Sequence, residues 1–95
     1  MKVRASRLRD KRVVTTAGLV LGEVYDILVD EKNGDVVAFL VDPTDEAKRI
    51  LRPEKDGLLV VPSHTFVSVG DVLVIDHNSY LTHMHKLGKV VSNVL

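Results

Sequence analysis

Three stretches of this chain are apolar at consecutive positions: Val36-Val37-Ala38-Phe39-Leu40-Val41, Leu58-Leu59-Val60-Val61 and Val72-Leu73-Val74-Ile75. A strand with one wet face alternates apolar and polar residues, so these runs read as strands covered on both faces. Arg12-Val13-Val14-Thr15-Thr16 is a further β-type run, closed by Ala17-Gly18. Val20 to Asp30 is a longer one, followed by Glu31-Lys32-Asn33-Gly34. Asn-Gly tolerates positive φ at both positions, which predicts a hairpin with Asp35 to Asp42 returning antiparallel. Pro43 ends that strand, because proline cannot donate to a ladder.

Residues 43–57 are the most polar internal segment, framed by Pro43 and Pro53. We read them as an excursion that holds at most one helical turn. Ser63-His64-Thr65-Phe66-Val67 reads as a tight turn that brings Phe66 and Val67 onto the core. Five strands with short connections predict a mainly β fold, a small, strongly curved antiparallel barrel with a C-terminal extension. In the third strand Val37, Phe39 and Val41 point one way and Val36, Ala38 and Leu40 the other. A small barrel has one interior, so the outward set needs another cover. In the second strand Val24 and Leu28 share one face and Ile27 and Val29 the other. Gly22 and Asp26 interrupt that pattern, which calls for a bulge or sharp bend between them.

Residues 79–95 place Tyr80, Met84, Leu87, Val91 and Val94 at spacings of four, three, four and three, a heptad-like stripe. Gly88, the valines, Ser92 and Asn93 oppose a helix, so helix and strand both stay open. The expected organisation is a basic arm over 1–10, a barrel over 11–78 and an apolar extension over 79–95. The extension packs on the barrel, on a second copy or on a partner.

Composition supports the sheet: 18 valines and 4% aromatic residues favour strands. Cysteine is absent, which excludes disulfides and thiolate chemistry and fits a cytoplasmic location. No apolar run approaches a membrane span. The zero net charge hides an asymmetry, since residues 1–12 hold six basic side chains against the single acid Asp10. Arg4, Arg7, Arg9, Lys11 and Arg12 are the candidate contacts to an anion or RNA. The reading we favour for this arm is a solvated, partly frayed terminus.

Catalytic and metal chemistry finds little footing. His64, His77, His83 and His85 lack supporting carboxylates, and His83 and His85 diverge on a helix, so they read as scattered surface histidines. His64 between Ser63 and Thr65 reads as a turn residue, because adjacent residues rarely aim at one another. No phosphate-binding glycine loop occurs. We expect no cofactor, no metal and no enzymatic activity.

The stretch from Arg12 to Asp30 resembles the opening of the PRC-barrel domain, with matches at Gly18, Leu21, Gly22, Val24, Asp26, Asp30 and Gly34. The stretch from Val60 to Val72, with Pro62, Phe66, Val67, Gly70 and Asp71, is similar to that domain's closing segment. The resemblance covers roughly residues 11–76. It implies a small β-barrel used for docking and assembly, as in the reaction-centre H subunit and the ribosome maturation factor RimM, with no catalytic residues to carry over. Short stand-alone members resemble dimeric archaeal division proteins that bind the SepF-type anchor of the FtsZ ring. The expected function is therefore a homodimeric adaptor at the archaeal division site, cytoplasmic and recruited there. The alternative is a ribosome-maturation or RNA-processing factor of the RimM type. Gly18, Gly22, Asp26, Asp30, Gly34, Pro62, Gly70 and Asp71 are expected to shape turns. The expected dimer or partner contact is Val36, Ala38, Leu40, Tyr80, Met84, Leu87, Val91 and Val94.

Overall fold

The computed structural model describes residues 8–53 and 56–87. In chain order the elements are β1 (Arg12–Thr15), β2 (Val20–Val29), β3 (Val36–Pro43), α1 (Asp45–Ile50), β4 (Leu59–Pro62), a 3₁₀ turn (Ser63–Thr65), β5 (Phe66–Val69), β6 (Val72–Ile75) and α2 (His77–Lys86). The strands form one six-stranded sheet in the order β4-β3-β2-β1-β6-β5.

Two expectations are corrected here. The sheet has six strands, because Phe66–Val69 pairs antiparallel with β6 where a tight turn was expected. It is also mixed, since β1 runs parallel to β6 from Arg12↔Val72 to Thr15↔Ile75. The parallel pair arises because the chain reaches β6 only after travelling around the whole sheet. β4 and β5 lie at opposite ends of the strand order, yet three residues connect them. So short a link forces the sheet to curl until its ends adjoin. Phe39 of β3 and Phe66 of β5 accordingly stack across the gap, with ring centroids 4.5 Å apart and planes 6° from parallel. Among the described residues β4 and β5 share no ladder, so the sheet is curled but open.

The hairpin expected at Asn33-Gly34 joins β2 to β3 antiparallel. Its connection is longer than a two-residue turn: Asp30 exchanges backbone bonds with Gly34 and Asp35, and Gly34 alone in the loop takes positive φ, at 75°. Gly22 is required for a different reason. A Cβ there would sit 1.9 Å from the Asp42 carbonyl oxygen, so only glycine lets β2 lie this close to the end of β3.

Inside the curl, Val13, Leu21, Val24, Phe39, Val41, Leu59, Val61, Leu73 and Ile75 form the core. The polar excursion contributes to it. Thr44 caps α1 by accepting the Ala47 N–H, and the turn delivers Ala47 and Leu51 to the interior. At the other end Asp76 accepts the Ser79 N–H and starts α2, which inserts Tyr80 and Met84 into the same core. The C-terminal stripe is thus helical as far as Lys86, and α2 begins two residues before the expected boundary at 79. Leu8, within the expected arm, is buried as well, and the Asp10 N–H donates to Val24.

Candidate functional site: the outer face of the sheet

Strand parity alone misplaces side chains in this protein, because register shifts interrupt the ladders. At a bulge one strand carries an extra residue, and the alternation of faces breaks there. In β2 the extra residue is Tyr25, between Val24↔Val41 and Asp26↔Leu40. In β3 it is Val37, between Val29↔Val36 and Leu28↔Ala38. In β5 it is Val67, between Phe66↔Ile75 and Ser68↔Val74. These three side chains are 55%, 52% and 54% exposed, so the bulges turn apolar groups into solvent.

The bulge at Val37 changes the expected contact face. Val36 packs against the core and Val37 takes its place outside. The outer surface of β2, β3 and β4 then carries Tyr25, Leu28, Val37, Ala38, Leu40 and Val60, with Leu28 opposite Ala38 and Leu40 opposite Val60. Ala38 is itself buried, its small side chain flanked in register by Leu28 and Pro62. Asp26, opposite Leu40, supplies the charge within this surface. Val29 is exposed as well, on the face of its partner Val36 and so opposite to Leu28, which leaves four large apolar side chains of the β2–β3 hairpin in solvent. Single exposed apolar residues need no explanation, but several in one hairpin make it the candidate interaction surface.

The remaining interface candidates are dispersed. Tyr80 and Met84 belong to the chain's own core, Leu87 is exposed, and Val91 and Val94 lie outside the described residues. Of the turn residues, Gly18 takes φ 88° and donates to the Thr15 carbonyl. Asp26 Oδ1 accepts the Ile27 N–H at 2.8 Å, and Asp30 Oδ1 accepts the Lys32 N–H at 2.7 Å. The Pro62 carbonyl accepts the Thr65 hydroxyl at 2.7 Å, and Gly70 and Asp71 link β5 to β6. Of the basic set, Arg4 and Arg7 lie outside the described residues, whereas Arg9 and Arg12 are exposed. Lys11 is engaged, its ammonium donating to the Gly70 carbonyl at 2.6 Å.

His77 has a structural duty that no sequence signal announced. Its Nδ1 lies 2.8 Å from Thr15 Oγ1 in a hydrogen bond, and its backbone N–H donates to Thr16 Oγ1 at 3.0 Å. Buried Thr15 also accepts the Ala17 and Leu19 N–H groups, so one hydroxyl ties the β1–β2 turn to α2 across 62 positions. At that helix start the hydrogen bonds from Ser79, and secondarily the nearby His77, hold the Asp76 carboxyl below the usual carboxylate range. His64 and His83 meet edge to face with centroids 5.7 Å apart, and His85 is exposed. Among the described residues no three potential ligands converge on a metal site.

The sequence model of the PRC-barrel domain matches residues 1–79. The chain belongs to the PRC-barrel domain family. A relative, an uncharacterized protein of Methanocaldococcus jannaschii, is 35% identical over 78 residues, which span 82% of this chain and 85% of that protein. The family match takes in the basic arm and the first residues of α2, so the PRC-barrel unit is wider than the motifs that suggested it. PRC-barrel domains are generally non-catalytic binding domains that mediate protein interactions. No described helix is long and apolar enough to cross a membrane.

Proposed function

We propose that this PRC-barrel protein is a non-enzymatic, homodimeric adaptor that docks other proteins. The observation that carries the reading is the exposed apolar set of the β2–β3 hairpin: Tyr25 and Val37, held in solvent by bulges, with Leu28 and Val29 exposed in the same hairpin. Burying these half-exposed side chains against a partner contributes on the order of 1 kcal/mol each. A domain of this size is marginally stable alone and gains from such an association.

In this reading the docked protein belongs to the archaeal division machinery, a SepF-type anchor of the FtsZ ring, and the adaptor is cytoplasmic until recruited there. Family membership supports the binding-domain class, and the division partner is the finer step of this proposal. Affinity purification from the native cell tests it. Recovery of division proteins is expected, and recovery of ribosomal proteins alone would remove the division assignment while leaving the adaptor class. The RimM-type alternative draws less support, because Lys11 already donates to a backbone carbonyl.

A further inference from the structure

The hairpin of β2 and β3 extends beyond its neighbours. β1 pairs with β2 only from Val20 to Glu23, and Lys11 and Asp10 add bonds at Val24. From Tyr25 to Val29, β2 has β3 on one side and, among the described residues, no strand on the other. An open edge of this kind carries unpaired amides and carbonyls and is a template for another strand. The Ile27 N–H identifies which groups face that edge. It donates to the carboxylate of the preceding residue, Asp26, at 2.8 Å, and so points away from the β3 ladder.

We infer that a second copy of this chain completes the edge, with Tyr25–Val29 of each protomer pairing antiparallel about a two-fold axis at Ile27. This deepens the homodimer proposed above and rests on it. Charge selects the register. Centring the axis on Asp26 sets two carboxylates face to face, and centring it on Leu28 sets Asp26 against Asp30. Centring it on Ile27 sets each Asp26 opposite a Leu28 and keeps the acids apart. Ile27 is also the midpoint of the open window, so this register uses the whole edge without meeting β1. The two Ile27 residues then exchange their N–H and C=O groups. Exposed Tyr25 and Val29 of both copies are gathered at the ends of the shared ladder, and partly buried Ile27 continues one core toward the other. Asp26 acts as a removable cap: it satisfies the Ile27 N–H in the free protomer and must release it for pairing.

The absence of cysteine makes the register directly readable. Single variants Tyr25→Cys, Ile27→Cys, Val37→Cys and Val67→Cys are oxidised mildly at micromolar protein and resolved on non-reducing gels. Paired strands place opposite Cα atoms within disulfide range, so Ile27→Cys is expected to cross-link to itself fastest. Because a slow variant could reflect poor folding, Asp26→Ala supplies a gain-of-function arm. Freeing one edge amide and removing a charge should tighten the sedimentation-derived dimer constant about three- to tenfold. Val29→Lys, at an exposed position, should weaken it. A dimer that cross-links fastest through Val37 or Val67, or that is unmoved by Asp26→Ala, would overturn this interface and leave the homodimer standing. A monomer at every concentration would overturn both.

Discussion

Replacing Gly22 by alanine tests the close approach of β2 to the end of β3. The added Cβ would lie 1.9 Å from the Asp42 carbonyl oxygen, 2.8 Å from its carbon and 3.0 Å from the Pro43 Cα, all backbone atoms that cannot swing aside. The residue also sits at φ 151°, where side chains are strained. Forcing the strands apart costs about 1–3 kcal/mol as overpacking, and the backbone conformation costs about 1–3 kcal/mol more. The expected loss of roughly 2–6 kcal/mol is a large share of the 5–15 kcal/mol typical of a domain. At about 4–8 °C per kcal/mol for a domain of this size, Tm should fall by at least about 8 °C. Gly18→Ala is the control, since it shares a positive φ of 88° but has nothing within 4 Å of the added Cβ. Urea and thermal unfolding of both variants separate the two contributions. Equal losses for Gly22→Ala and Gly18→Ala would refute the close-approach argument.

Thr15→Val should destabilise by about 1–3 kcal/mol, because it strands buried or half-buried hydrogen-bonding partners in the β1–β2 turn and at His77; denaturant titration that finds the change neutral would remove the hub assigned to this hydroxyl. Thr44→Ala should cost about 1 kcal/mol through the lost α1 cap, with Thr44→Ser close to wild type. The Asp76 carboxyl is held below its usual range in the folded state, so its stabilising effect is present above the ordinary carboxylate range and fades as pH falls through the lowered value. The stability gap between wild type and Asp76→Ala should therefore close on acidification. A gap unchanged from neutral to strongly acidic pH would contradict the capping role.

Much of the sheet was legible from local chemistry. Asn33-Gly34 placed the β2–β3 hairpin, Pro43 and Pro62 closed their strands, and unbroken apolar runs located β3, β4 and β6. The surface was less legible, because parity assumes an unbroken ladder. The extra residue at Val37 moved Val36 inward, and that shift depends on the partner strand rather than on any neighbour in sequence. The interruption between Gly22 and Asp26 did signal irregularity, and a bulge lies at Tyr25. The pairing of β1 with β6 and the Thr15–His77 bond join residues about 60 positions apart, beyond the reach of periodicity. α2 was ambiguous because Gly88 and the valines that oppose a helix all follow Lys86, whereas Asp76 and Ser79 provide a proper helix start.

These bulges link fold to function in this PRC-barrel protein. Each adds one residue to a strand, and three of them hold an apolar side chain outside the curl. Such a surface costs the free protomer stability and is expected to be covered in the working assembly. Sedimentation velocity of the full chain across the micromolar range tests this most directly. Our account predicts a species of twice the 10.5 kDa chain mass, formed reversibly with concentration. A 10.5 kDa monomer at every concentration would contradict it.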